Sequence, residues 1–180
     1  MDTLHQWERQ SQGRLPAPAA CCADSQSSKT ATPGEDVGFD GPKKVKGRTR
    51  PLLVDTLGLI VAVVVTAAPT EDRQGLVALM KRYFASGVTR LRKLWVDGGY
   101  EAQWLCAWVH GLQRTHKVAL EVVEHTGQGF QVVPYRWVVE RTFAWLLNDR
   151  RHSRDYEVLT ASSEAMIQIS MIRLLLKRLA

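Results

Sequence analysis

The 180-residue sequence predicts a mixed α/β fold, with one β-sheet flanked by helices. Two β-branched and leucine-rich runs, Val45 to Asp55 and Leu59 to Ala67, are joined by Thr56, Leu57 and Gly58, a hairpin signal. Beyond Thr70, helical and extended patterns alternate. A hairpin followed by such alternation argues for a mixed sheet covered by helices. At 45% hydrophobic residues the chain is long enough for one substantial core.

Residues 1–17 are polar and read as a linker or disordered remnant, leaving a single domain over 18–180. Ala19 to Asp24 is a run of small residues ending in an acid, as in a central strand. Ser25 to Pro42 is rich in Ser, Thr, Gly and Pro and predicts an irregular loop. Thr70 caps a helix whose stripe is Leu76, Leu79, Met80 and Tyr83, ending near Gly87. Val88 to Val96 reads as a strand that leaves Asp97 at its C-terminal end. A helix with inner face Leu105, Trp108, Val109 and Leu112 follows. Val118 to Val123 and Phe130 to Val133 are short strands around the turn His125 to Gly129. In the next helix Val139, Phe143 and Leu146 recur at i, i+4 and i+7, with Glu140 at the edge of that face. Thr160 or Ser162 starts a last helix that buries Met166, Ile169, Ile172 and Leu176. Acids on the first strand, after the fourth and on a late helix make this order resemble the ribonuclease H-like arrangement.

The net charge of +6 and pI near 9.5 favour a polyanionic partner. Lys43, Lys44, Lys46, Arg48 and Arg50 form one basic cluster, and Arg150, Arg151, His152 and Arg154 another. Both suit a phosphate backbone. Strand-edge lysines, or cations at a helix C-terminus, would look the same. Cys21, Cys22 and Cys106 show no CxxC spacing, which argues against a disulfide framework or zinc site and for a reducing, intracellular compartment. The longest apolar run, Leu57 to Pro69, is too short to span a bilayer, so no membrane association is expected. The histidines show no i, i+4 pairing, and there is no glycine-rich phosphate loop.

Three carboxylates on separate elements, Asp24, Asp97 and Glu140, are the candidates for chemistry. In-line displacement at a phosphodiester can use two divalent cations, about 3.5–4 Å apart, that stabilise the attacking and leaving oxygens. Hard cations of this kind take oxygen ligands. Each acid also has a plainer role: an Asx-turn for Asp24, a turn or helix cap for Asp97, and an ion pair with Arg136 for Glu140. Asp55, in Val54-Asp-Thr-Leu-Gly58, is assigned to the hairpin turn. Trp137 and Trp145 fall at helical spacing in an apolar segment and read as core.

Several blocks together resemble the DDE transposases of bacterial insertion sequences, specifically the insertion-sequence-five group. They are Asp24-Ser-Gln-Ser-Ser-Lys-Thr30, Gly41-Pro-Lys-Lys-Val-Lys-Gly-Arg-Thr-Arg50, Leu53-Val-Asp-Thr-Leu-Gly-Leu59, Val96-Asp-Gly-Gly-Tyr100 and Arg136-Trp-Val-Val-Glu-Arg-Thr-Phe-Ala-Trp145. Arg150-Arg-His-Ser-Arg-Asp-Tyr-Glu157 also fits, and the similarity runs in order from about residue 20 to the C-terminus.

The resemblance implies a ribonuclease H-like domain that cuts and rejoins DNA with magnesium or manganese, two ions in all. Asp24, Asp97 and Glu140 are its catalytic and metal-binding residues in that picture. Arg136 and Arg141 would orient Glu140 or touch phosphate, and Lys43, Lys44, Lys46, Arg48, Arg50, Arg150 and Arg151 would lie along the DNA. The implied partners are double-stranded DNA, at element ends and target, and a second copy or partner transposase polypeptide. The implied location is the bacterial cytoplasm at the nucleoid. Relatives carry a further helical DNA-binding segment before the first acid, where this chain has 23 residues, and commonly have His at position 51 and Val at 28 instead of Pro51 and Ser28. An inactive, truncated DNA-binding remnant is therefore the alternative expectation. A ribonuclease H-like nuclease that hydrolyses without joining is the third.

Overall fold

Cys21 and Cys22 are neighbours in sequence yet enter different hydrophobic cores, and this alternation organises the molecule. The computed structural model describes residues 1–87, 90–105, 107–108, 118–123 and 136–180. The strands are β1 (Ala20–Lys29), β2 (Gly38–Asp40), β3 (Val45–Asp55), β4 (Ile60–Val63), β5 (Thr66–Ala67), β6 (Lys93–Asp97) and β7 (Ala119–Val123). The helices are α1 (Asp2–Ser11), α2 (Asp72–Ala85), α3 (Arg136–Leu147) and α4 (Thr160–Leu179). The sheet runs β2-β3-β1-β6-β7, with β4 and β5 against the outer side of β3. β3 is antiparallel to β1, whereas β6 and β7 extend the sheet in parallel. The expected strand at Phe130–Val133, its preceding turn and the helix positions Val109 and Leu112 lie outside the described residues.

On one face Cys21, Ala23, Leu53, Leu94 and Val96 meet α2 through Leu76, Leu79, Met80 and Tyr83. On the other, Cys22, Leu52, Val54 and Trp95 meet α3 and α4 through Val139, Phe143, Leu146, Ile167, Met171 and Leu175. A ligand site at the strand ends is therefore roofed by whichever helix covers its face.

Four expectations are corrected. Residues 2–11 form α1 instead of a linker, because buried Arg9 pairs with the fully buried Asp55 and donates to Leu15 O at 2.8 Å. Ser25 to Lys29 continues β1 although its residues favour loops, because each pairs with a residue of β3 from Pro51 back to Gly47. Tertiary pairing overrides propensity there. Gly38–Asp40 is also a strand, in the stretch expected to be irregular. In α4 the buried stripe is Ser163, Ile167, Met171 and Leu175, while Ile169 and Leu176 are exposed. That helix is apolar nearly all round, so its phase is set by contacts such as Ser163 Oγ donating to Asp155 Oδ2 at 2.7 Å.

Pro51 sits in mid-β3, where a missing amide donor is normally costly. Its carbonyl accepts from Val64 N at 3.2 Å, on the side away from β1. N–H and C=O of one strand residue point the same way, so the absent donor faces the outer edge, where β4 gives way to β5. The β1 ladder that carries Asp24 is untouched.

Candidate active site

The β1–β6 ladder pairs Ala20 with Lys93, Cys21 with Leu94 and Cys22 with Trp95. Asp24 and Asp97 each stand two residues beyond the last paired residues, Cys22 and Trp95. Adjacent strands lie about 4.8 Å apart. Strand alternation sends both side chains to the face of Cys22 and Trp95, the face covered by α3. A small cavity there is lined by Cys22, Asp24, Trp95, Asp97, Val123 and Val139. Each aspartate is oriented locally: Asp24 Oδ1 accepts from Ser25 N at 2.7 Å, and Asp97 Oδ1 accepts from Gly99 N at 3.0 Å, capping a 3₁₀ turn at Gly98–Tyr100. Cys21 and Cys22 offer no thiolate. Burial, reinforced by Asp55, pushes the Cys22 thiol up to about 12 and holds Cys21 well above its ordinary value.

Glu140 lies on the exposed flank of α3, next to the buried Val139 that lines the cavity. Among the described residues, no three His, Cys, Asp or Glu side chains are grouped as a metal cage. The oxygen-only pair still suits a magnesium-like cation, which is usually held by one or two carboxylates plus water and substrate phosphate. α3 itself is clasped to the turn after β3. Thr142 Oγ1 donates to Gly58 O at 2.7 Å, and Arg141 Nη2 donates to Leu57 O at 3.0 Å. The Arg141 guanidinium is stacked between Trp137 and Trp145, 4.3 and 4.6 Å from their ring centres, and Trp137 is substantially exposed rather than core.

The basic residues divide into two groups. Arg48 and Arg50 are buried, which corrects their expected place along a DNA backbone. Arg48 Nη1 lies 3.4 Å from Asp155 Oδ1, and its guanidinium donates to the carbonyls of Glu35, Glu157 and Val158. Arg50 donates to His152 O at 3.2 Å and lies 3.9 Å from Asp155 Oδ2. A guanidinium used in this way has no fork left for phosphate. Lys44, Lys46 and Arg150 are exposed, as is Arg151, which is paired with Glu157 at 2.6 Å. Lys43 spans Asp40 at 3.9 Å and Asp72 at 3.4 Å. The Arg136 side chain lies outside the described positions.

Sequence reasoning missed Asp72, Tyr100 and Asp155. Asp72 looks like an ordinary acid in a helix first turn, yet it takes a short hydrogen bond from Ser25 Oγ, next to Asp24. Tyr100 looks like the end of a turn, yet it is buried beside Asp24, Asp72 and Asp97, and burial, then those carboxylates, raises its pKa. The sequence signal that was available is adjacency: Ser25 follows one candidate acid, and Tyr100 falls in the Asp97-Gly-Gly-Tyr turn after the other.

An antiparallel β3–β1 pair extended in parallel by β6 and β7, with helices on both faces, defines a ribonuclease H-like α/β fold. Within that class, the profile of the transposase DDE domain family matches residues 16–175, and the chain belongs to this family. Among solved structures the chain is similar to the catalytic core domain of BIV integrase, with 15% identity, a TM-score of 0.49, and coverage of 88% of this chain and 84% of that one. It is similar to a chain of the simian T-cell lymphotropic virus intasome in complex with PP2A regulatory subunit B56 gamma, at 13% identity and a TM-score of 0.50, covering 86% and 47%. The Mos1 strand transfer complex contains a further similar chain, at 9% identity and a TM-score of 0.45, covering 99% and 60%. The chain thus spans less than two thirds of the latter two. No curated protein matches it. Among the described residues, no helix is long and apolar enough to cross a membrane.

Proposed function

We propose that residues 18–180 are the catalytic domain of an insertion-sequence-five-group transposase that cuts element-end DNA and joins the freed 3′ hydroxyl to a target. The observation that carries this reading is that Asp24 and Asp97, carried by adjacent parallel strands, line one cavity on the face roofed by α3. Family membership supports it. Asp24 and Asp97 would hold a divalent cation, magnesium or manganese, and Glu140 would join them from α3. When bound, the cation neutralises charge on the reacting phosphate and favours ionised water. The chain's own part is to hold two carboxylates aimed, which their local amide bonds support. Lys44, Lys46, Arg150 and Arg151 supply positive charge for the DNA backbone. A second copy or a partner transposase polypeptide completes the assembly on DNA in the bacterial cytoplasm.

The test is a strand-transfer assay with the full chain on element-end DNA in magnesium or manganese. Cleavage and joining that disappear in Asp97→Asn and Glu140→Gln support the reading. Products that persist in both variants overturn it, as do salt-sensitive DNA binding without cleavage by the parent chain and hydrolysis without joining.

A further inference from the structure

A second cleft, sharing no lining residue with the aspartate cavity, opens beside the clasp of α3. Trp137, Arg141 and Trp145 recur at i, i+4 and i+8, so one face of α3 carries indole, guanidinium and indole in turn. The Arg141 guanidinium lies 4.3 Å from the Trp137 ring centre and 4.6 Å from that of Trp145. Arg178 of α4 lies 4.5 Å from the same Trp145 ring, which extends the stack to a second guanidinium. With indoles over the Arg141 plane, its N–H donors are left along the edge, and one of them goes to Leu57 O at 3.0 Å. A guanidinium locked in this way keeps the planar fork that matches an oxyanion, with little rotamer freedom left to lose on binding.

The cleft has a volume of about 420 Å³, and Trp137, Arg141 and Arg178 line it together with Glu8 and Gln12 of α1 and with Thr56 and Leu57 of the turn after β3. Its charges do not balance. Glu8 is the one acid in the lining and lies 3.6 Å from Arg178, whereas Arg141 is in no ion pair among the described residues. Two cations against one carboxylate leave a net positive charge, which a cleft with low-dielectric walls focuses. Gln12 and Thr56 add neutral hydrogen-bond donors. A ligand suited to this lining is compact, anionic and rich in acceptor oxygens. We propose that Arg141 and Arg178 bind a phosphate group in this cleft, supplied by a DNA backbone or by free phosphate. The turn carrying Leu57 begins where Asp55 pairs with Cys21, three pairs along the β1–β3 ladder from Asp24 opposite Leu52. That separation is about 10 Å, the axial rise of about three phosphates on one DNA strand. The DNA source rests on reading the chain as a DNA-cutting domain, and the phosphate site itself does not.

The experiment titrates the full chain with inorganic phosphate, at constant ionic strength and with a chelator present, and reads the indole N–H resonances of Trp137 and Trp145. Hydrogen bonds to a charged group are worth about tenfold or more in affinity, so R141Q and R178Q are each expected to weaken phosphate binding by at least that factor. E8Q removes the opposing acid while keeping its shape, and is expected to tighten binding by about two- to fivefold. A chain that has lost its fold cannot produce that gain. K44A/K46A and D97N are expected to bind phosphate like the parent, so this site and the metal pair fail separately. Duplex DNA then identifies the source. A salt dependence of log K flattened by about 0.9 in R141Q assigns the phosphate to the backbone, and an unchanged slope assigns it to the free ion. Phosphate binding that is absent in the parent, equal to the parent's in R141Q and R178Q, or not tightened in E8Q overturns the proposal.

Discussion

Arg48 and Asp155, separated by more than half the chain, meet at 3.4 Å with both side chains essentially excluded from solvent. The contact joins β3 to the segment after α3, where Thr30 also bridges to Asp155 through the backbone. Arg50 and Ser163 share the same carboxylate. Replacing Asp155 with Ala leaves two guanidiniums buried without their anion, a loss of about 3–5 kcal/mol. Urea denaturation checks this, and a change below about 1 kcal/mol would show that the carbonyls of Glu35, Glu157 and Val158 satisfy Arg48 without help.

A second buried pair makes stability depend on pH. Burial by itself would raise the Asp55 pKa, but the His5 imidazole 3.3 Å away and hydrogen bonds from the Leu59 amide and Arg9 outweigh it and hold the carboxyl below its ordinary value. A depressed folded pKa contributes stability that is present above the unfolded value, about 3.9, and is lost as pH falls through the folded one. Arg9→Ala should cost about 3–5 kcal/mol near neutrality by leaving a buried charge underpaired. Its deficit should shrink below about pH 4, where Asp55 is protonated in the unfolded chain. Parallel stability curves for parent and variant between pH 3 and 7 would refute this coupling.

Gly58 has φ +81°, and a Cβ there would meet Trp145 at 2.9 Å, Thr142 at 3.0 Å and Arg141 at 3.1 Å. Gly58→Ala therefore forces a strained backbone against α3, and about 1–3 kcal/mol should be lost. Gly13 has a similar φ of +67° with open space around it, so Gly13→Ala is a control with the backbone term alone. Equal denaturation midpoints for the two variants would mean that the α3 contact contributes nothing.

DNA affinity should respond to the exposed lysines. The double variant Lys44→Ala, Lys46→Ala is expected to flatten the dependence of log K on log salt by about 1.8, at roughly 0.9 per phosphate contact. Fluorescence anisotropy titrations on duplex DNA at several salt concentrations measure the slope. An unchanged slope would remove the β2–β3 hairpin from the interface.

The legible parts of the chain were those where local pattern and tertiary demand agree. Val45 to Asp55 is β-branched, leucine-rich and ends in a tight turn, and it is one strand. Asp24 and Asp97 were legible because each lies in or at the end of a strand readable in its own right. Arg48 and Arg50 were not, because i and i+2 residues share a strand face and the partner they face, Asp155, is over a hundred residues away. The strand character of Ser25–Lys29 depends on β3, and the docking of α1 on Asp55, so neither can be read from its own residues. The phase of α4 was illegible for the opposite reason: too many of its positions are apolar.

The clasp between α3 and the turn after β3 limits how Glu140 can travel. A slide of α3 by one residue along its axis is about 1.5 Å, enough to break both the Thr142 and the Arg141 contacts to carbonyls 58 and 57. Glu140, immediately before Arg141, is thus held one residue from the points that fix α3 to that turn, so its height along the helix axis is set by the backbone of residues 57 and 58.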